Sequence, residues 1–132
     1  MIHEEICTYE VAKLAKEKGF NEYVEAFYAE DCDTAHSQGP EKWNEYKGKY
    51  AAPTQSLLQR WLREDKGIVI DVVLDWQYNI EVEEIRYQHR IGSNRRMTIG
   101  CVQTRGIVCD RYFATYELAL EDALKYTLQK LV

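Results

Sequence analysis

The chain has 132 residues, of which 45% are hydrophobic, and its formal net charge is -5. This length suits one domain with a hydrophobic core, so we expect residues 1–132 to form a single domain. The acidic balance disfavours a general attraction to nucleic acid or to an anionic membrane surface. The chain begins with neither a basic start nor an apolar stretch, and no apolar run is long enough to span a bilayer, which predicts a cytoplasmic protein.

Two segments precede the best-specified helix. Residues 8–18 predict a first helix, with Thr8 as its N-cap and Gly19 as its stop. Residues 21–52 are rich in aromatic side chains and predict a segment that covers the core. Within it, Tyr23, Val24, Phe27 and Tyr28 fit either an amphipathic helix or a twisted strand, and this choice stays open.

Residues 54–66 predict the central helix. Pro53 disfavours helical backbone before it, Thr54 can cap its first turn, and Gly67 tolerates the left-handed backbone that ends it. The apolar stripe consists of Leu57, Leu58, Trp61 and Leu62, and the outer face available for recognition consists of Gln55, Gln59, Arg60 and Arg63. From Ile68 the pattern alternates, which predicts a half-buried strand over residues 68–76.

The rest of the chain predicts an antiparallel meander and a last helix. A turn at 75–77, a strand with Tyr78, Ile80 and Val82, a turn at 92–94 and strands over 97–103 and 107–113 form the meander. Thr115 caps the last helix, whose stripe runs from Tyr116 to Leu131 and on which Glu121 can pair with Lys125. We therefore predict an α+β fold: one two-layer domain in which a three- or four-stranded meander has helices mainly on one face.

Three stretches of the chain carry a resemblance to known proteins. They are residues 14–20 (LAKEKGF), residues 52–64 (APTQSLLQRWLRE) and the last helix, which opens with Thr115, Tyr116 and Glu117. In these stretches the chain resembles small phage and prophage proteins of gut Bacteroidetes. The resemblance implies a phage-derived protein in the cytoplasm of a bacterial host cell and a small α+β fold. It implies no activity and no catalytic or binding residue.

The sequence contains no recognisable catalytic or metal-binding pattern. Cys32 and His36 would share one face of a helix, but the other Cys and His residues lack the paired spacing of a zinc site, so a solvated loop is expected instead. Acid pairs such as Glu81 with Glu83, or Asp71 with Asp75, are typical of charged outer strand faces. The glycines form no phosphate-binding loop. We predict a protein without catalytic activity, metal or cofactor.

Charge is unevenly distributed along the chain. Residues 86–111 contain six arginines and one acid, Asp110, so this segment carries +5 and the remainder carries -10. Arg90, Arg95, Arg96 and Arg105 are expected in strand-connecting loops, where they could reach phosphates, and a nucleic-acid-binding module is therefore the alternative hypothesis. Against it, the last helix opens with Glu117, Glu121 and Asp122, where phosphate binding would need basic residues.

The leading hypothesis is a non-catalytic accessory or interaction protein that binds a protein partner or a second copy of itself. Ten tyrosines, three tryptophans and a separate arginine-rich segment supply the residue types that interface cores favour. Trp43, Tyr46 and Tyr50 are the candidate partner-binding residues of the aromatic segment. The arginines of residues 86–111 are a second candidate contact.

Overall fold

The described part of the chain folds into helices and antiparallel sheets. A computed structural model gives this structure and describes residues 4–74, 87–93, 107–108 and 113–132. The helices are α1 (Tyr9–Glu17), α2 (Gln55–Asp65) and α3 (Tyr116–Lys130), and the strands are β1 (Val24–Ala29), β2 (Ala35–Glu41), β3 (Lys49–Ala51), β4 (Ile68–Leu74), β5 (Tyr87–Ser93) and β6 (Ile107–Val108). One sheet has the order β2-β1-β3 and the other β4-β5-β6. The predicted α+β class and element order are confirmed.

The helix ends follow the predicted local chemistry. Thr8, Thr54 and Thr115 each accept a hydrogen bond from a backbone N–H in the first turn of their helix, at 3.4, 3.2 and 3.1 Å. Gly19 and Gly67 follow α1 and α2 with φ angles of 95° and 69°, a region that costs other residues strain. The threonine side chains therefore fix where the helices begin, and the backbone freedom of the glycines fixes where α1 and α2 end.

The aromatic segment forms a sheet, which resolves the choice that the sequence left open. Phe27 is registered with His36 on β2 and with Ala51 on β3, while Tyr28 is registered with Ala35 and Tyr50. Consecutive residues of a strand point to opposite faces of the sheet, so Phe27 and Tyr28 lie on opposite sides. Each shares its face with the residues registered opposite it. Pairing between residues distant in sequence selects the strand.

The second sheet continues further than the sequence indicates. Gly92 and Ser93, predicted in a turn, lie at the end of β5 because they pair with Val69 and Ile68. The predicted turn at 75–77, the strand with Tyr78 to Val82 and the strand over 97–103 lie outside the described residues.

One side chain of the predicted outer face of α2 is buried. Gln55 is 5% exposed, and its Nε2 donates to the backbone oxygen of Glu117 at 3.0 Å and to Glu121 Oε2 at 2.8 Å. Gln59 donates to the backbone oxygen of Ile70 at 2.7 Å. The prediction that these two glutamines are available for recognition is wrong, since α3 and β4 use their amide groups.

The pairing predicted on α3 also differs. Lys125 forms its ion pair with Glu10 of α1 at 3.1 Å, whereas Glu121 Oε1 accepts from the backbone N–H of Thr8 at 2.8 Å. Tyr116 and Leu131, predicted in the apolar stripe, are exposed. The helix lies between α1, α2, β4 and β5, so its contacts across elements replace the pair within the helix.

A single cluster of buried side chains connects the elements. It includes Val11 of α1, Leu62 of α2, Leu124 of α3, Phe27 of the first sheet and Ile91 of the second. Phe20 packs edge to face on Trp61, with ring centroids 5.3 Å apart. Among the described residues, no helix is long and apolar enough to cross a membrane.

Candidate functional site

The outer face of the first sheet, turned away from α1, carries aromatic side chains around a lysine. Phe27 of β1 and Lys49 of β3 lie on this face by strand register. Trp43 begins a 3-10 turn (Trp43–Glu45) between β2 and β3, and Tyr46 follows that turn. Phe27, Trp43, Tyr46 and Lys49 are called the outer aromatic cluster below.

Hydrogen bonds hold the turn on the sheet. The indole Nε1 of Trp43 donates to the backbone oxygen of Val24 at 2.8 Å, and this satisfies a donor that is almost fully buried. The side chain of Asn44 donates to the backbone oxygen of Phe20 at 2.6 Å and accepts from the backbone N–H of Ala51 at 2.7 Å. The Trp43 ring therefore has a fixed position and orientation.

The rings contact each other without being parallel. The centroids of Phe27 and Trp43 are 4.5 Å apart with planes inclined by 37°, and those of Trp43 and Tyr46 are 5.8 Å apart with planes inclined by 42°. Phe27 and Trp43 are buried, whereas Tyr46 is 44% exposed. The cluster thus reaches from the sheet interior to the solvent.

The ammonium group of Lys49 lies over three rings. Its Nζ is 4.8 Å from the centroid of Phe27 and 5.1 Å from the centroids of Trp43 and Tyr46. These distances are within the range of cation–π attraction. Across the described residues, this ammonium group has no ion pair or side-chain hydrogen bond beside its ring contacts.

The sequence around the cluster is acidic. Residues 20–50 contain seven acids and three lysines, a net charge of -4. A second cation–aromatic pair is formed by Lys42, whose Nζ is 5.4 Å from the ring centroid of Tyr23, a residue that is 63% exposed. The segment that supplies the cluster therefore combines exposed aromatic rings with a negative net charge, and negative charge attracts cations.

The three aromatic residues predicted to bind a partner lie on two faces of the sheet. Trp43 and Tyr46 are outside, whereas Tyr50 faces α1, with its ring centroid 5.6 Å from that of Tyr9. Lys16 of α1 lies over the Tyr50 ring at 4.9 Å and donates to the backbone oxygens of Tyr46 and Lys49 at 3.0 and 2.8 Å. Tyr50 thus belongs to the contact between sheet and helix.

On the inner face, buried polar groups satisfy one another. The hydroxyl of Tyr28 donates to the backbone oxygen of Cys7 at 2.6 Å. Burial is the main cause that raises the pKa of Tyr28 to about 12, and burial likewise raises the pKa of the Cys7 thiol. Cys7 is fully buried, so its thiol resembles a structural cysteine, not a nucleophile.

A histidine and a carboxylate form a second polar pair. His89 Nε2 and Asp122 Oδ2 are 2.9 Å apart, and the ring of His89 stacks on Phe113 with centroids separated by 5.9 Å. His89 is 3% exposed, and within the described residues its Nδ1 has no hydrogen-bond partner. This geometry joins β5 to α3 without presenting the imidazole to solvent.

Cys32 and His36 do not share a helix face. Cys32 follows β1 in a turn, where its Sγ contacts the backbone oxygen of Thr34 at 3.7 Å, and His36 lies on β2 with its ring 5.6 Å from that of Phe27. Asp71 lies on β4, while Glu81, Glu83 and Asp75 are outside the described residues. No group of three or more metal-ligating side chains is found in the described ranges.

One of the candidate arginines can be placed. Arg90 lies within β5 and is registered with Asp71 on β4 and Val108 on β6, so the prediction that it lies in a loop is wrong. It lies in a strand because β5 pairs with β4 along its whole length. Arg95, Arg96 and Arg105 lie outside the described residues.

Phe27 and Lys49 are not among the partner-binding residues that the sequence predicts. A signal was present, because Trp43, Tyr46 and Lys49 recur every third residue. Their convergence on Phe27 depends on the register of β1 with β3, which spacing alone does not supply.

Comparison with known proteins supplies no relative that would suggest a role. The chain matches no protein-family model, and no curated protein and no solved structure matches it significantly. Its function has to be inferred from the geometry and charge of its own residues.

Proposed function

We propose that the protein is a non-catalytic interaction protein that binds a protein partner through the outer aromatic cluster. The observation that supports this most directly is Tyr46, which is 44% exposed and lies against the rigidly held ring of Trp43. Aromatic residues are enriched in interface cores, where a fixed ring loses little conformational freedom on binding. The resemblance to phage and prophage proteins adds the setting of a phage-derived accessory protein.

The net negative charge of residues 20–50 favours a partner whose binding surface is basic or neutral. Residues 20–50, which supply the cluster, carry a net charge of -4, and negative charge repels a nucleic-acid backbone. Two of the described side chains that could act as a nucleophile or a base, Cys7 and His89, are buried away from solvent, where a substrate would not reach them.

Replacement of Tyr46 by alanine tests the proposal. Affinity capture from a host lysate identifies the partner, and calorimetry with the purified partner then measures affinity. Loss of an aromatic residue central to an interface typically costs about 2 kcal/mol, so we expect Tyr46→Ala to weaken binding by roughly thirtyfold. Tyr116→Ala is the matched control, because Tyr116 is similarly exposed but lies on α3.

Two results would contradict the proposal. One is the absence of any captured protein together with a monomer in light scattering. The other is salt-dependent binding of a labelled duplex that falls stepwise as Arg90, Arg95, Arg96 and Arg105 are replaced, which would support the nucleic-acid alternative.

A further inference from the structure

The outer aromatic cluster has the geometry of a site for a cation. Three ring centroids lie at 4.8, 5.1 and 5.1 Å from one nitrogen, so the positive charge is shared among three aromatic faces. Rings arranged around an ammonium group are the usual means by which proteins recognise quaternary ammonium ligands. Here Lys49 of the same chain supplies that ammonium group.

The contacts of Lys49 indicate which cation the site suits best. A primary ammonium carries three N–H donors, and in the described part of the chain the contacts of this group are with aromatic rings. A trimethylated ammonium keeps the charge but carries no N–H donor, so it loses no hydrogen bond to water when aromatic rings surround it. The ring-lined site therefore matches a methylated cation better than its present occupant.

The site is built so that only the Lys49 side chain has to move. The Trp43 ring is fixed by its hydrogen bond to Val24, and Phe27 lies within the central strand of the sheet. The Lys49 backbone is held independently, since its N–H donates to the Tyr46 oxygen at 3.3 Å and its own oxygen accepts from Lys16. A swing of the Lys49 side chain would uncover ring faces that are already in position.

We propose that the outer aromatic cluster is an ammonium-binding cage, that Lys49 is its intramolecular occupant, and that a trimethylated lysine of a partner protein exchanges with Lys49. This inference rests on the proposed interaction function and names the chemistry of the partner. The negative charge of residues 20–50 draws the incoming cation to this face. Lys49 competes with the partner, so the apparent affinity for trimethyllysine is the intrinsic affinity multiplied by the fraction of time for which Lys49 leaves the cage free.

Titration with defined cations tests the cage directly. The probes are tetramethylammonium chloride, a short peptide carrying trimethyllysine, and the same peptide unmethylated, at constant ionic strength. Calorimetry gives affinity, and the NMR signal of the Trp43 indole N–H reports from inside the cage. We expect the trimethyllysine peptide to bind more tightly than both other probes and to shift the Trp43 signal.

Four variants separate the cage from general charge effects. Lys49→Ala removes the occupant and should raise affinity for the trimethyllysine peptide about tenfold if Lys49 fills the cage for about nine-tenths of the time. Lys42→Ala, which removes a lysine over Tyr23, should leave affinity near the wild-type value. Tyr46→Phe keeps the ring and should retain binding, whereas Tyr46→Ala should lose it. Should Lys49→Ala fail to fold, the two Tyr46 variants still test whether binding needs the aromatic ring of the cage.

The outcomes distinguish this inference from the proposed function. Absence of binding by wild type and by folded Lys49→Ala overturns the cage. Equal affinity for tetramethylammonium and the trimethyllysine peptide overturns the assignment to a protein partner and favours a small quaternary amine. A captured partner that depends on Tyr46 but carries no methylated lysine supports the proposed function and overturns the cage. Binding of the trimethyllysine peptide when no lysate protein is captured supports the cage alone.

Discussion

Tyr28 links the first sheet to the entry of α1 through a single buried hydrogen bond to the backbone oxygen of Cys7. Tyr28→Phe removes the hydroxyl donor and leaves the Cys7 backbone oxygen without this hydrogen bond. We therefore expect the free energy of unfolding to fall by about 1–2 kcal/mol near neutral pH. Urea unfolding of both proteins measures the difference. Tyr126→Phe, at an exposed position on α3, is the control and should unfold like the wild type.

The same substitution has a pH dependence of known sign. Folding raises the pKa of Tyr28 to about 12, above its value of about 10 in unfolded chains, so the folded state holds this proton more tightly. The stability that the folded state gains from holding the Tyr28 proton is fully present below pH 10 and is lost as pH rises through 12. The stability gap between wild type and Tyr28→Phe should therefore narrow between pH 10 and 12. A constant gap would contradict a raised pKa of Tyr28 in the folded state.

Residues whose role is set by their neighbours in sequence are predictable, and residues set by distant contacts are not. Thr54 caps α2 and Gly67 ends it because the relevant backbone groups lie within a few positions. Gln55, next to Thr54, was predicted outside although it is buried against Glu121, 66 residues away. The burial of Gln55 depends on how α3 packs against α2, and the sequence around Gln55 does not predict that packing.

At the scale of elements, Glu121 of α3 joins the starts of the other two helices. One carboxylate oxygen accepts from the Thr8 N–H of the α1 cap and the other from the Gln55 amide of α2, both at 2.8 Å. Glu121→Ala leaves the buried amide with fewer acceptors, and bonds to charged groups are the stronger ones. We expect thermal or urea unfolding to report a loss of about 2–3 kcal/mol.

A matched carboxylate removal tests whether this effect is specific. Glu10→Ala breaks the exposed ion pair with Lys125, which should cost at most about 1 kcal/mol because such pairs are screened by solvent. Equal losses for Glu10→Ala and Glu121→Ala would mean that the junction of the three helices has no special weight. Glu121→Gln should lie between wild type and Glu121→Ala, since its oxygen still accepts one hydrogen bond.

Elements with a strong local period were predictable, while those of the candidate site were not. α2 and β4 show helical and alternating patterns that match their structure. The outer aromatic cluster lies in the segment whose aromatic residues fit both helix and strand, and the strand is selected by pairing with β2 and β3. The cage around Lys49 exists only after that pairing, so sequence spacing could indicate its residues but not their convergence.

At the scale of the whole molecule, α3 connects two sheets that share no described strand pairing. The helix contacts α1 beside the first sheet and β4 and β5 of the second, and side chains from both sheets enter one buried cluster. One continuous core predicts that both sheets unfold together, as the single-domain hypothesis requires. Leu124 is fully buried at the centre of this arrangement.

Replacement of Leu124 by alanine tests that coupling. The cavity should cost about 2–5 kcal/mol, and because both sheets depend on the same core, both should lose stability equally. The NMR signals of the Phe27 and Ile91 amides, one from each sheet, should decay at the same urea concentration in wild type and at the same lower concentration in Leu124→Ala. Leu118→Ala, at an exposed position of the same helix, should leave both midpoints unchanged. Separate midpoints for the two amides, or a shift confined to Ile91, would show that α3 joins two independent folding units.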